Sequence, residues 1–406
     1  MKFDINDIVA KFKYDPNSVK KNYDGKTDVY LAKVSYRYAY VKRILIVLLM
    51  LVTIAFILSG SLTYENMYYL VKDLKLANDY VNSVHDTITY NVGNSQSFAA
   101  YREGLAVASR EKLSIFSAGG REIFSSNHSY GNPTLIASEQ YVLLYDIGGK
   151  QFSLYNSFSN VSDHTLDYAI YGASISDSGS VAIITKSESF DSVVSVYQSN
   201  GTLYDYNYSS GRVVSVDLSD NGTQMAVVLV FSNGSEIRSE VRLYKVGSSD
   251  YKRADITFSG VPYAVGFFDG GSICVVGAHG VNTFNSNLSF VGEYLSDQEI
   301  YIYSFGDDNI AISHVSSNSG KTKVLVLDAR ANISKRYEFD DRVIDVALYR
   351  GYLFLQKMSG FERINMSVNK IDRIDMVATD FKMLVSDKNT LIVCKDSYAK
   401  FLFFNK

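Results

Sequence analysis

The chain has 406 residues, 47% of them hydrophobic and 20% charged, which is globular in balance and too long for one small core. Its formal charge of −3 hides a division, because residues 1–43 hold ten Lys/Arg against five Asp/Glu while the remainder holds 30 against 38. So acidic a main part is a poor fit to nucleic acid, and two cysteines are too few for a disulfide scaffold.

In chain order, residues 1–40 form a basic tail. Phe3, Ile5, Ile8, Val9 and Phe12 fall near one helical face with lysines around it. That pattern suits an anionic membrane surface or a partner, and equally a disordered tail. Residues 41–60 follow as a predicted transmembrane helix, with every residue from Ile44 to Leu58 apolar except Thr53. The preceding 43 residues exceed the n-region of a signal peptide, so the segment reads as a single-pass signal-anchor. Lys33, Arg37, Lys42 and Arg43 precede it, and the first basic residue afterwards is Lys72. The positive-inside rule places the N-terminus in the cytoplasm and the C-terminal domain outside, at the cell membrane.

Residues 61–85 are expected to form a stalk helix or linker. Met67, Leu70, Leu74, Ala77, Val81 and Val84 recur at alternating spacings of three and four, a possible helix interaction stripe. It would pack on the following domain, pair with a second copy or dock a partner helix.

Residues 86–406 repeat one phrase. Short apolar runs begin at Leu105, Tyr141, Val181, Met225, Ile273, Ile310, Tyr352 and Leu391, spaced 36 to 48 residues apart. Each follows a turn such as "SDSGS" or "SDNGT" and precedes an alternating strand such as "LSIFS" or "VVSVY". An unbroken apolar run suits a strand buried on both faces, and alternation suits a half-solvated one. Four short strands per roughly forty residues make a β-propeller blade. The expected fold is therefore all-β, an eight-bladed β-propeller. Seven blades is the alternative, because the unit Arg212–Gly260 carries the insertion "FSNGSEIRSE". The last unit supplies three strands, so Asp86–Val92 is expected to complete the eighth blade by pairing antiparallel with "AKFLFFN", with Ile88 and Tyr90 on one face. Cys274 and Cys394 then fall three blades apart and are expected to be reduced and buried.

The turns Ser176-Asp177-Ser178-Gly179 and Ser219-Asp220-Asn221-Gly222 resemble those of the TolB-like and WD40-like propeller superfamily, without the proline common there. The Gly-His and Trp-Asp signatures of true WD40 blades are absent, and the chain has no tryptophan. The layout of tail, anchor, short helix and propeller resembles an uncharacterised family of membrane-anchored propellers of Gram-positive bacteria. That resemblance implies no activity.

Chemistry-bearing motifs are few. No G-x-S-x-G, Walker loop or G-x-G-x-x-G occurs, and "GGK" at Gly148–Lys150 lacks the rest of a phosphate loop. His85, His128, His164, His279 and His314 have no metal-ligand spacing, although His279 and His314 follow corresponding strands of neighbouring units. Asp307-Asp308 and Asp340-Asp341 fall in turns, where Asp bonds its own backbone. No catalytic, cofactor or metal residue is nominated and no cofactor is expected. The expected function is a non-catalytic binding or scaffold module for a protein or cell-envelope glycan partner. A transmembrane sensor is the alternative. An envelope-polymer hydrolase is the second, and it requires acids clustered in the central channel.

Overall fold

Residues 27–43 contain neither glycine nor proline, so nothing in the sequence stops a helix from forming well ahead of the apolar run. In the computed structural model, which describes residues 27–58, 87–90, 96–157, 159–234, 236–315 and 321–404, helix α1 accordingly spans Thr27–Leu58. It begins at Thr27, ahead of the predicted span that starts at Val41. Among the described residues, no helix is long and apolar enough to cross a membrane. The predicted span runs on to Ser59 and Gly60, outside the described residues, as do the basic tail up to Lys26 and the whole of the predicted stalk helix with its stripe.

The second unit of the chain is a propeller of eight four-stranded antiparallel sheets. Blades 1 to 7 are sequential meanders over residues 97–127, 133–165, 170–208, 212–255, 262–295, 302–339 and 343–375. Blade 8 takes three strands from residues 382–403 and its outermost strand from Thr87–Thr89. The closing strand pairs antiparallel with the third strand of that blade, Thr87 opposite Lys400, Ile88 opposite Ala399 and Thr89 opposite Tyr398. Ile88 is buried and Tyr90 packs in the same cluster, beside Cys394 and Phe401. The backbone N–H of Tyr90 donates to Ser397 O at 3.1 Å, and its hydroxyl donates to Lys395 O. One ladder thus joins the two ends of the domain.

All eight apolar runs are second strands and are buried along nearly their whole length. Each blade face packs on the next blade, so the core is eight inter-blade clusters rather than one centre. The third strands differ from expectation. Their alternating polar residues are buried too, because the fourth strand covers them and supplies partners. Ser153 Oγ donates to Asp163 Oδ1, and Ser195 Oγ to Asp205 Oδ1, both at 2.5 Å. The solvated alternation appears one strand later, as in Asn160–Thr165 and Lys370–Asp375.

The insertion in blade 4 adds no strand. It lengthens the second and third strands to Gln224–Asn233 and Glu236–Lys245, paired to their tip, so the hairpin projects beyond the sheet. Cys274 and Cys394 are free and buried, and burial raises both thiol pKa values.

Deleting residues 396–406 removes the third strand of blade 8 and strips the closing strand of its partner. With Ala399, Phe401, Leu402 and Phe404 all buried and each large apolar side chain contributing about 2–4 kcal/mol, the melting temperature should fall by at least about 8 °C. A fall of only one or two degrees would show that the ring does not depend on this ladder.

Candidate functional site

Because every blade is a meander, the turns joining first to second strands all lie at one end of the propeller, and the connections between blades lie at the other. At the turn end the Ser-Asp phrases interlock. The N–H of Gly179 donates to Ser176 O and that of Gly222 to Ser219 O. Both glycines have left-handed backbones, with φ of 81° and 66°. A Cβ at Gly179 would come within 3.0 Å of the Tyr141 ring in blade 2, and one at Gly222 within 2.6 Å of Ser178 Oγ in blade 3. The turns also bond across blades. Glu139 N–H donates to Asp177 Oδ1 at 2.8 Å, Ser178 N–H to Asp220 O at 3.1 Å and Asp269 N–H to Asp307 O at 2.8 Å.

The same turns set out an acidic arc over blades 3 to 6: Asp177, Asp220, Asp269, Asp307 and Asp308. The carboxyl pKa of Asp220 is raised by burial and then by Asp177. That of Asp269 is raised by burial, then by Asp307, Asp308 and Asp220. Blades 7, 8 and 1 instead contribute Arg350, Lys388 and Arg102 at this end. The Arg350 and Arg102 guanidinium groups lie over Tyr349 and Tyr101, 5.4 and 5.8 Å from the ring centroids. Glu103 and Asp387 share those turns. Burial, and after it Asp387 and Glu103, raise the Tyr349 pKa, so this end is polarised between an acidic arc and a stretch of mixed charge.

Below it, the inner strands carry the carboxylates Asp217 and Asp345. Asp217 Oδ2 accepts the N–H of Phe267 in blade 5 at 3.0 Å, and Oδ1 accepts Ser174 Oγ in blade 3 at 2.8 Å. Burial outweighs these bonds and pushes its pKa up to about 6. Asp345 accepts the N–H of Val346 and pairs with Lys382 Nζ of blade 8 at 3.3 Å. Both acids hold neighbouring blades together.

The other residues singled out from sequence are dispersed. Among the described residues no group of three or more His, Cys, Asp or Glu is placed to hold a metal ion. His314 is buried near the end of the second strand of blade 6, its pKa lowered by burial, then by Lys323 and Arg336. His279 lies in a turn of blade 5, and His164 stacks on Phe152 at 4.6 Å. Asp340 pairs with Lys321 at 2.7 Å, and Asp341 accepts the N–H of Ser359. His85 and the stripe from Met67 to Val84 lie outside the described residues. Sequence reasoning missed a buried ion network in blade 7. There Glu362 bonds Lys357 at 2.6 Å and Arg373 at 2.8 Å, and Arg363 bonds Asp372 at 2.5 Å. The faint signal was "GFERIN", which sets Glu362 and Arg363 side by side between the apolar, buried Phe361 and Ile364.

A model of the family of unknown function DUF5711 matches residues 78–402, and the chain belongs to that family. No curated protein matches the sequence. Among solved structures, Sqt1 from Chaetomium thermophilum aligns at a TM-score of 0.53 and 11% identity, covering 78% of this chain and 98% of that one. Sqt1 from Saccharomyces cerevisiae gives 0.52 and 11%, covering 78% and 100%. BamB from Moraxella catarrhalis gives 0.51 and 13%, covering 78% and 98%. At such identities the likeness concerns the fold alone.

The raised pKa of Asp217 makes a stability prediction. A carboxyl whose folded pKa exceeds its unfolded value stabilises fully below the unfolded value, near pH 4, and that contribution is lost as pH rises through about 6. Asp217→Asn keeps an acceptor and cannot ionise. Relative to the parent chain it should gain on the order of 1–3 kcal/mol between pH 4 and pH 7.5, read by urea unfolding at both values. A pH-independent difference would show that Asp217 is not held in this way.

Proposed function

We propose that this DUF5711 propeller is a membrane-anchored, extracytoplasmic binding or scaffold module for a protein or cell-envelope glycan partner. The observation that carries the binding reading is the polarised turn end of a closed ring. The strands spend their side chains on packing and inter-blade bonds, while Asp220, Asp269, Asp307 and Asp308 stay exposed on a rigid rim. Charges held so close repel one another, a cost that a complementary partner relieves.

The anchor reading rests on α1. Its side chains from Ile44 to Val52 and Ile54 are apolar and exposed on every side, a composition that suits lipid better than water. Thr53, the polar exception, donates its hydroxyl to Leu49 O at 2.6 Å, so its polarity is satisfied within the helix. The full chain should therefore stay with membranes through alkaline carbonate extraction, and release into the supernatant would remove the anchor.

Crosslinking in native membranes followed by affinity recovery should return the same partner repeatedly. Reversing Asp177, Asp220 and Asp269 to Lys should reduce its yield at least about fivefold. Reproducible absence of any partner would sink the binding reading.

A further inference from the structure

At the connection end of the propeller, one repeat position is treated in the same way in five consecutive blades. In blades 3, 4, 5 and 7 the ladder between the first two strands skips a residue at the start of the inner strand, between Ile170 and Gly172, Val213 and Ser215, Pro262 and Ala264, and Val343 and Asp345. The skipped residues are Tyr171, Val214, Tyr263 and Ile344. Blade 6 repeats the arrangement just ahead of its inner strand, where Ile300 is buried, Tyr301 is exposed and the N–H of Tyr301 shares Ser313 with Ile302. In blade 2 the corresponding pairing, Pro133 with Asp146 and Thr134 with Tyr145, runs without a skip, and the residue there is the small polar Thr134. Bulge and large side chain go together.

A bulge re-aims the residue it leaves unpaired. Here the re-aimed residues are large and apolar or aromatic, and two of them face water openly, Tyr171 at 59% and Tyr301 at 64% exposure. Between blades 5 and 6 the aromatic surface is continuous. Tyr263 stacks on Tyr303 with centroids 6.5 Å apart, and the Tyr263 hydroxyl donates to Glu299 at 3.0 Å. Tyr303 meets Phe305 edge-on at 5.9 Å. Packing inside the blades does not require these positions, since each is preceded by a buried residue that already fills the core: Ile170, Val213, Pro262, Ile300 and Val343.

We propose that this arc is a docking site for a protein segment that inserts apolar side chains and carries lysine or arginine beside them. The inference rests on the binding-module reading and adds to the acidic turn end a second face, at the connection end, with its own partner chemistry. Exposed tyrosine and β-branched side chains supply the centre of a peptide interface, being large, stiff and cheap to order. The flanking charge selects the partner's sign. The connections entering blades 3 to 7 carry Asp167, Asp297, Glu299, Asp340 and Asp341 against Arg212 and Arg342, with Lys321 beside Asp340. A saccharide is the poorer fit. The five positions offer no amide or guanidinium to its hydroxyls, Val214 and Ile344 offer no flat face, and the Tyr263 hydroxyl is already engaged.

The test uses the full chain in lipid nanodiscs, with empty discs as reference. Its probe is a fluorescent octapeptide of four apolar residues with two lysines at each end. It should bind at least about tenfold tighter than the same peptide flanked by glutamates. Tyr301→Asp, at an exposed position where folding is not at stake, should weaken it at least about tenfold, and Tyr301→Phe should restore it. Val368→Asp, on an exposed turn at the opposite end of the propeller, should leave it within about twofold. Indifference to flanking charge or to Tyr301→Asp overturns the proposal. So does an N-acetylglucosamine hexamer that binds in a Tyr301-dependent manner where the peptide does not. Loss through Val368→Asp alone would move binding to the other face, leaving the module reading intact and this assignment refuted.

Discussion

Eight sheets converge on an axis, and each presents there an edge strand with no further strand to bond. An unpaired N–H in a crowded place costs about 1–3 kcal/mol, and a ring multiplies that cost by every boundary. The chain meets it by placing small oxygen acceptors on one inner strand against the N–H groups of the next. Leu135 N–H donates to Ser97, Leu218 to Ser174, Val265 to Ser215, Phe267 to Asp217 and Leu348 to Ser304. Where no such pair is made, another polar contact crosses the boundary: Glu139 to Asp177, Asp269 to Asp307, Lys382 to Asp345, and Ser386 Oγ to Glu103 O. Ser97, Ser174, Ser215, Asp217 and Ser304 therefore stand among the Val and Ile of the inner strands at the positions that meet the next blade.

The repeated Ser-Asp-x-Gly turn follows from the same crowding. Each turn must pass under its neighbour, so its glycine serves twice, for a left-handed backbone and for the absence of a Cβ where Tyr141 or Ser178 presses close. The turn lacks the proline of the superfamily it resembles. Asp177 instead offers a carboxylate to the preceding blade. Acid is thus recruited first for joining blades, and the exposed acidic arc is the remainder of that architecture. Ring closure obeys the same logic, since the edge left open by residues 382–403 is the one that Thr87–Thr89 covers.

Much of this was legible because it depends on periodic burial. "VAIIT" and "ICVVG" read as doubly buried strands since nothing polar interrupts them, and "DTITYNV" read as the closing strand because no blade of its own remained for it. The illegible parts depend on partners distant in sequence. Ser195 looks solvated until Asp205 is placed opposite. Glu362 looks like surface until Lys357 and Arg373 converge on it, one from the second strand and one from the fourth. The bulged positions Tyr171, Tyr263 and Tyr301 were invisible for a different reason. A one-residue skip leaves no mark in composition, and tyrosine is common throughout this chain. The extension of α1 to Thr27 left no hydrophobic signal, since residues 27–43 mix polar and basic side chains and lack only a helix breaker.

The two ends differ chemically because their connections have different work. A turn between adjacent strands of one blade is short, must clear the neighbouring turn and has space for Asp and Gly. A connection between blades must travel from rim to axis. It approaches the inner strand from outside the sheet, where a bulge costs one ladder bond and no packing. The arc from Tyr171 to Ile344 occupies that place. The closing strand has a direction in this frame. Thr87–Thr89 runs antiparallel to the third strand of blade 8, hence with the second strand. The closing strand thus starts at the turn end of blade 8, among the blades that carry Arg350, Lys388 and Arg102 rather than the acidic arc, and finishes at the connection end.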